Sequence, residues 1–291
     1  MKIGCHCVLY GTQIASDTDE VLTKLKFAGA EGCEIGQRFF GVDQADRMKA
    51  SLEKYDLELS GMHCNGMNLV DLIKNPEKAE QAIADVARAL DGMENKNIIV
   101  TGCVSIEAMN DMPVKDGASE PELHDPELVR LAADRLEAIV GRIKEQYGAQ
   151  VHYHNHSWEF ADQGLIFSAL MERCPSMMFA LDTGWAAIAG FDPVALIRQN
   201  PERFHYVHLR DFNKADLTEE RTFREAHNGF IDLGKGDMNY PRLMECLNQI
   251  MSADDWAVVE YEFGNFDHLS YLKAVSYLNG VQDALLTGKE G

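Results

Sequence analysis

Short apolar runs alternate with longer amphipathic stretches along the whole chain. The runs are KIGCHCVLY from Lys2, EGCEIG from Glu31, LELSGMHC from Leu57, KNIIVTG from Lys96, QVHYHN from Gln150, MMFALDTG from Met177, FHYVHLRD from Phe204 and WAVVEYE from Trp256. Short runs of this kind predict strands. Most begin roughly 25 to 50 residues after the one before, room for a crossover helix each time.

The stretches between them supply helices. DTDEVLTKLKFAGA opens with acidic and Thr residues suited to a cap and then repeats apolar residues at helical spacing. NPEKAEQAIADVARALDGM, DPELVRLAADRLEAIVGRIKEQYG and DPVALIRQNPERF each place Pro at the first helical position behind Asn or Asp. YPRLMECLNQI and DHLSYLKAVSYLNGVQDALL complete the set. The alternation predicts an α/β fold, a (β/α)8 TIM barrel, with residues 1–291 as a single domain. A doubly wound sheet would want a Gly-rich phosphate loop after its first strand, and VLYGTQIASD is not one. Two connections, Cys103 to Asp125 and Asp211 to Tyr240, are longer than a minimal barrel needs. Both follow a strand and are expected to cover a substrate.

Composition narrows the function. With 291 residues, 46% of them hydrophobic, a sizeable core is available. A formal charge of -20, from 27 basic and 47 acidic residues, argues against a nucleic-acid partner, whose phosphates need a basic footprint. The longest apolar runs fall short of the roughly 18 residues of a membrane span, and the N-terminus lacks a signal-peptide pattern. The expectation is a cytoplasmic protein with no membrane partner. Seven cysteines, an odd number without a CxxC pair, read as small buried hydrophobes, among them Cys5, Cys7, Cys33 and Cys103.

Catalytic groups of a barrel project from the C-terminal ends of its strands. Those ends are polar here: His63 on the third strand, His152, His154 and His156 followed by Glu159 on the fifth, Asp182 on the sixth, His208 and Arg210 on the seventh, Glu260 and Glu262 on the eighth. A carboxylate in an otherwise apolar strand needs a partner or a cation to offset its desolvation. That need is met at once if Glu159, Asp182, His208 and Glu260 converge on one divalent ion. The mixed oxygen and nitrogen set suits Mn²⁺, Mg²⁺, Co²⁺ or Zn²⁺.

At these residues the chain resembles the sugar phosphate isomerase/epimerase superfamily, the xylose isomerase-like barrels that include inosose dehydratase and ketose 3-epimerases. YHNHSWEF matches the Y-H-N-H-x-x-E-F signature of one branch, and LDTGWAAIAGFDPVALI matches that branch's Asp, Trp, Ala-Gly and Asp-Pro pattern. ERFHYVHLRDF matches the vHlKD strand, with Arg210 where Lys is usual. DLGKGDMNYPRLMECL matches the lGeGdid loop, and VVEYE the terminal Glu strand, with Glu262 where Asp is frequent.

The resemblance implies a metal-dependent isomerase or epimerase, or a dehydratase or other lyase, acting on a keto-sugar or cyclic polyol through an enediolate. Its metal positions fall on Glu159, Asp182, His208 and Glu260, with His152 and His154 as alternatives to Glu159. His154 is the nominated general base and Glu262 the second candidate. Arg210 is expected to hold an oxyanion or hydroxyl, Trp185 to stack on the sugar, and His63 and His156 to touch substrate. The partner is a small carbohydrate, and a homo-oligomer is compatible with this picture. Two other readings are a metal-dependent endonuclease on the same barrel, which the acidic balance opposes, and a non-catalytic sugar-binding barrel, which would not need an intact ligand set.

Overall fold

The computed structural model describes residues 1–40, 44–102, 106–216, 221–262 and 266–288. Cys103 lies outside them. Among the described residues ten strands are formed: β1 Lys2–His6, β2 Gly32–Gly36, β3 Glu58–Cys64, β4 Asn97–Thr101, β5 Gln150–His154, β6 Met178–Asp182, β7 Tyr206–Leu209, β8 Asp211–Phe212, β9 Phe230–Ile231 and β10 Trp256–Val259. Eight of them close a barrel in the order β1-β10-β7-β6-β5-β4-β3-β2, and β8 and β9 make a separate two-stranded ribbon. Every barrel pairing is parallel; the last seam runs from Lys2 opposite Trp256 to Cys5 opposite Val259. All eight apolar runs thus became barrel strands.

The cap signals also act as expected. Asp17 accepts from the Glu20 N–H at the start of helix Thr18–Phe27, Asp125 from Glu127 and Leu128 ahead of Pro126–Tyr147, and Asp192 from Val194 ahead of Pro193–Gln199. Helix Pro126–Tyr147 ends at Gly148, whose φ of 64° is the left-handed stop that glycine takes without strain. The helices Ala45–Lys54 and Ala161–Arg173 escape the sequence pattern. The first buries only Met48 and Leu52. The second opens with Asp162, Gln163 and Gly164 at positive φ, which masks its start. No described helix is long and apolar enough to cross a membrane.

Inside the barrel, side chains alternate in and out along each strand. Ile99, Ala180, Tyr206, Trp256 and Val258 form a small apolar cluster of their own within it. Trp256 fits because β2 offers no side chain opposite it: a Cβ on Gly32 would stand 2.5 Å from the indole and 2.5 Å from the Glu58 carbonyl. The layer above this cluster, toward the C-terminal ends, is where the polar residues gather.

Candidate metal centre and cavity

Two residues on from the interior cluster, the same strands turn polar. Ala180 is followed inward by Asp182, Tyr206 by His208 and then Arg210, Val258 by Glu260, and His152 by His154. His154, Asp182, His208 and Glu260 are all buried, and one ligand atom from each lies within 4.8 Å of the others. His154 Nδ1 is buried without a hydrogen-bond partner. An orphaned imidazole nitrogen beside two carboxylates and a second imidazole is the donor chemistry of a divalent-ion site, and the set fits such an ion.

The group is tightly wired. Arg210, itself buried, donates from Nε to Asp182 Oδ2 at 2.8 Å and lies 2.7 Å from Glu260 Oε1 through a terminal nitrogen. Asp182 also caps helix Thr183–Ile188 by accepting from the Trp185 N–H. Burial raises the Asp182 carboxyl to about 6 against the pull of Arg210. Burial alone would lower His208, but the charges of Glu34 and Glu260 and its hydrogen bonds to both hold it up at about 10. Burial also disfavours ionised Glu260, yet Arg210 and His208 keep its carboxyl well below the usual range.

Glu159 stands apart from this group. Its Oε1 accepts from the Tyr153 hydroxyl at 3.0 Å and its Oε2 from the His156 N–H at 2.8 Å, so it ties down the loop after β5. Burial pushes its carboxyl up to about 8. The expected four-residue set therefore converges only with His154 in the place given to Glu159. The reason is parity: His154 is on the inward face of β5, whereas the chain has left the strand before Glu159. His152 faces inward a layer lower, with Nε2 3.1 Å from Asn97 Oδ1.

Above the group opens a cavity of about 230 Å³, lined by His6, Arg38, Phe39, His63, Asn65, Thr101, His154, His156, Trp158, Glu260 and Glu262 among others. Larger hollows of about 610 and 770 Å³ lie elsewhere and receive none of the strand-end groups. His63, His156 and Glu262 reach the cavity. Burial lowers His63 to about 4 and His156 to about 3, so both are neutral at pH 7. Glu262 pairs with His227 Nε2 at 2.9 Å and lies 3.5 Å from Arg210. Burial would raise its carboxyl, but His227 and Arg210 hold it at about 2.

Two of the expected residues sit outside the cavity lining. Trp185 does not line the cavity; it is fully buried, stacked on Phe223 at 4.8 Å and 2°. The cavity wall is Trp158, which stacks on His156 at 4.1 Å. Arg210 does not reach into the cavity as a free cation, because Asp182, Glu260 and Glu262 surround it. The two long connections meet: the Val114 N–H donates to the Arg221 carbonyl and the Phe223 N–H to the Met112 carbonyl, which brings Phe223 against Trp158 and Trp185.

Sequence reasoning passed over Glu34, His6, His227 and Trp158. Glu34 and His6 carried the same signal as Glu260, a titratable residue on the inward parity of an apolar strand.

The family model described as xylose isomerase-like TIM barrel matches residues 22–279. The chain belongs to that family. Among curated relatives, an inosose dehydratase of Mesomycoplasma hyopneumoniae is 26% identical over 254 residues, covering 84% of this chain and 81% of the relative. Among solved structures, the probable 3-DHS dehydratase AsbF from Bacillus anthracis superposes with a TM-score of 0.72 at 16% identity, covering 96% of this chain and 99% of that one. The IOLI protein with a bound zinc atom gives 0.66 at 12% identity, covering 100% of both chains. At such identities the two structures speak for the fold.

Proposed function

We propose that the chain is a divalent-metal-dependent lyase that removes water from a small cyclic polyhydroxy ketone, by proton abstraction next to the carbonyl. The observation that carries this reading is the convergence of His154, Asp182, His208 and Glu260 directly beneath a cavity that also receives Glu262. These four residues would hold the ion. Bound there, a divalent ion would polarise the substrate carbonyl and acidify the adjacent C–H.

The rest is done by the chain. Glu262 reaches the cavity from outside the ligand set and serves as the base that takes the α-proton. The same proton then goes to the departing β-hydroxyl, which leaves as water, so the carboxylate is regenerated. His63 and His156 meet substrate hydroxyls as neutral hydrogen-bonding groups. Phe39 offers a flat apolar wall to the ring, and Trp158 backs the His156 imidazole. Arg210 acts from behind by holding Asp182 and Glu260 in place. A cavity below the roughly 300–1,000 Å³ of drug-sized pockets suits one small ring.

Among the described residues lining the cavity, Glu262 is the single carboxylate outside the ligand set, and dehydration, which returns the abstracted proton to the β-hydroxyl, needs one such group. The inosose dehydratase relative points the same way. The test is incubation of the Mn²⁺-loaded protein in D₂O with a panel of inososes and keto-sugars. Loss of water from at least one cyclic ketone is expected; deuterium uptake without loss of water would shift the assignment to the epimerase reading. Absence of both would defeat the enzymatic reading.

A further inference from the structure

The barrel axis holds a carboxylate that the reaction above does not use. Glu34, on β2, is fully buried. Its Oε2 lies 2.7 Å from His208 Nε2 and accepts from the Tyr206 hydroxyl at 2.8 Å, while its Oε1 lies 3.0 Å from His6 Nε2 as a close polar contact without hydrogen-bond geometry. An isolated buried carboxylate costs several kcal/mol, so three polar neighbours at hydrogen-bond distance in one place are an arrangement the fold maintains.

The tautomers follow from the partners. His6 Nδ1 accepts the Val8 N–H at 2.9 Å, so its Nε2, which faces Glu34, carries the ring proton. On His208, Nδ1 faces Glu260 at 2.6 Å, on the side of the candidate ion, and Nε2 faces Glu34. An imidazole can give a lone pair to an ion only from an unprotonated nitrogen, and the hydrogen bond on the other nitrogen decides which one that is.

We propose that Glu34 is a positioning residue: it accepts the Nε2–H of His208 and so presents Nδ1 to the ion, and through His6 it ties the ion site to the cavity wall. This rests on the metal site argued above. A glutamine at position 34 would lack the charge and turn N–H donors toward groups that are themselves donors. Tyr206 holds the carboxylate from below and is in turn 2.9 Å from Ser60 Oγ, which anchors the arrangement to β3.

The experiment uses Zn²⁺, titrated against a competing chelator, with long-range ¹⁵N–¹H correlation spectra of the histidine side chains of the full chain. For the wild type, stoichiometric Zn²⁺ binding and His208 as the Nε2–H tautomer are expected. Glu34→Gln is expected to weaken Zn²⁺ by about 10-fold or more, the usual scale for losing the partner of a ligating histidine, and to shift the His208 and His6 resonances together. Tyr206→Phe, which leaves the carboxylate in place, is expected to lose less affinity and to keep the tautomer. If Glu34→Gln does not fold, the wild-type tautomer and Tyr206→Phe still decide. The proposal is overturned if the Zn²⁺-loaded wild type shows His208 protonated on Nδ1, or if Glu34→Gln binds Zn²⁺ as tightly as wild type. Failure of the wild type itself to bind Zn²⁺ or Mn²⁺ would instead remove the metal site on which the proposal rests.

Discussion

The two ends of the barrel interior are made from the same strands and behave as opposites. Toward the N-terminal end, β10 contributes Trp256 and Val258, β7 contributes Tyr206, β6 contributes Ala180, and Gly32 leaves the indole its space. Two residues further along, β10 leads to Glu260, and β7 and β6 supply His208 and Asp182, all fully or almost fully buried. The first layer is stabilised by the area it removes from water. The second is costly to bury and persists because each charge faces another: Arg210 between Asp182 and Glu260, His208 between Glu34 and Glu260. The lesson is that a single strand can hold the fold at one end and store the chemistry at the other, so mutations two residues apart should have unlike consequences.

The sharpest break between the layers should come from the ligands. Asp182→Ala and Glu260→Ala, and His154→Gln with them, are expected to lower affinity for Mn²⁺ or Zn²⁺ by at least about 100-fold, beyond the 10–100-fold typical of residues that only support a ligand. Activity should vanish with the ion while circular dichroism stays that of a folded barrel. Metal analysis after dialysis decides it; full occupancy in any of the three would remove that residue from the set.

Next in size is the base. Glu262→Gln should keep the ion but lose turnover by roughly 10²–10⁴-fold, the scale of a positioned general base. Ion content and rate, measured on one preparation, separate this from ligand loss. If turnover survives, the proton goes elsewhere, and His156 becomes the group to examine.

The apolar layer should answer in stability instead. Trp256→Ala is expected to destabilise the fold by about 3–5 kcal/mol, the range for removing a large core aromatic, while ion affinity measured below the unfolding transition stays near wild type. A large loss of affinity from this change would mean that the two layers are coupled.

How far the sequence foretold this contrast depends on parity. Short apolar runs at crossover spacing located all eight barrel strands, and the Asn-Pro and Asp-Pro openings located several crossover helices. Inward parity picked out Asp182, His208 and Glu260, which do meet. It did not reach Glu159, because parity ends with the strand: once β5 stops at His154, nothing in residue spacing says which way the next side chains turn. It would have reached Glu34 and His6, but one acidic residue in EGCEIG and one His in KIGCHC are faint beside HYHNHSWE. Trp185 and Arg210 were assigned outward tasks because no pattern in the chain shows that Phe223 covers one and three carboxylates surround the other.

Glu159 gives the smallest effect and the finest test of that parity argument. Its carboxyl is raised by burial to about 8 from an ordinary 4.5. The folded chain therefore keeps a proton that the unfolded chain has already released above pH 4.5. A raised folded-state value means that the contribution is fully present below the unfolded value and is lost as pH rises through the folded one. Wild-type stability should thus fall, relative to Glu159→Gln, across the window from about pH 4.5 to about 8, by on the order of 1 kcal/mol per pH unit at most, and the difference should level off above it. The glutamine oxygen can still accept the His156 N–H, so the loop after β5 should hold, and ion affinity should be unchanged. Urea unfolding at pH 5, 6.5, 8 and 9 for both proteins reads the slope, and chelator competition reads the affinity. Parallel stability curves would mean that Glu159 is ionised in the folded state. A Glu159→Gln protein that no longer holds the ion would return Glu159 to the ligand set and leave His154 free to act as the base.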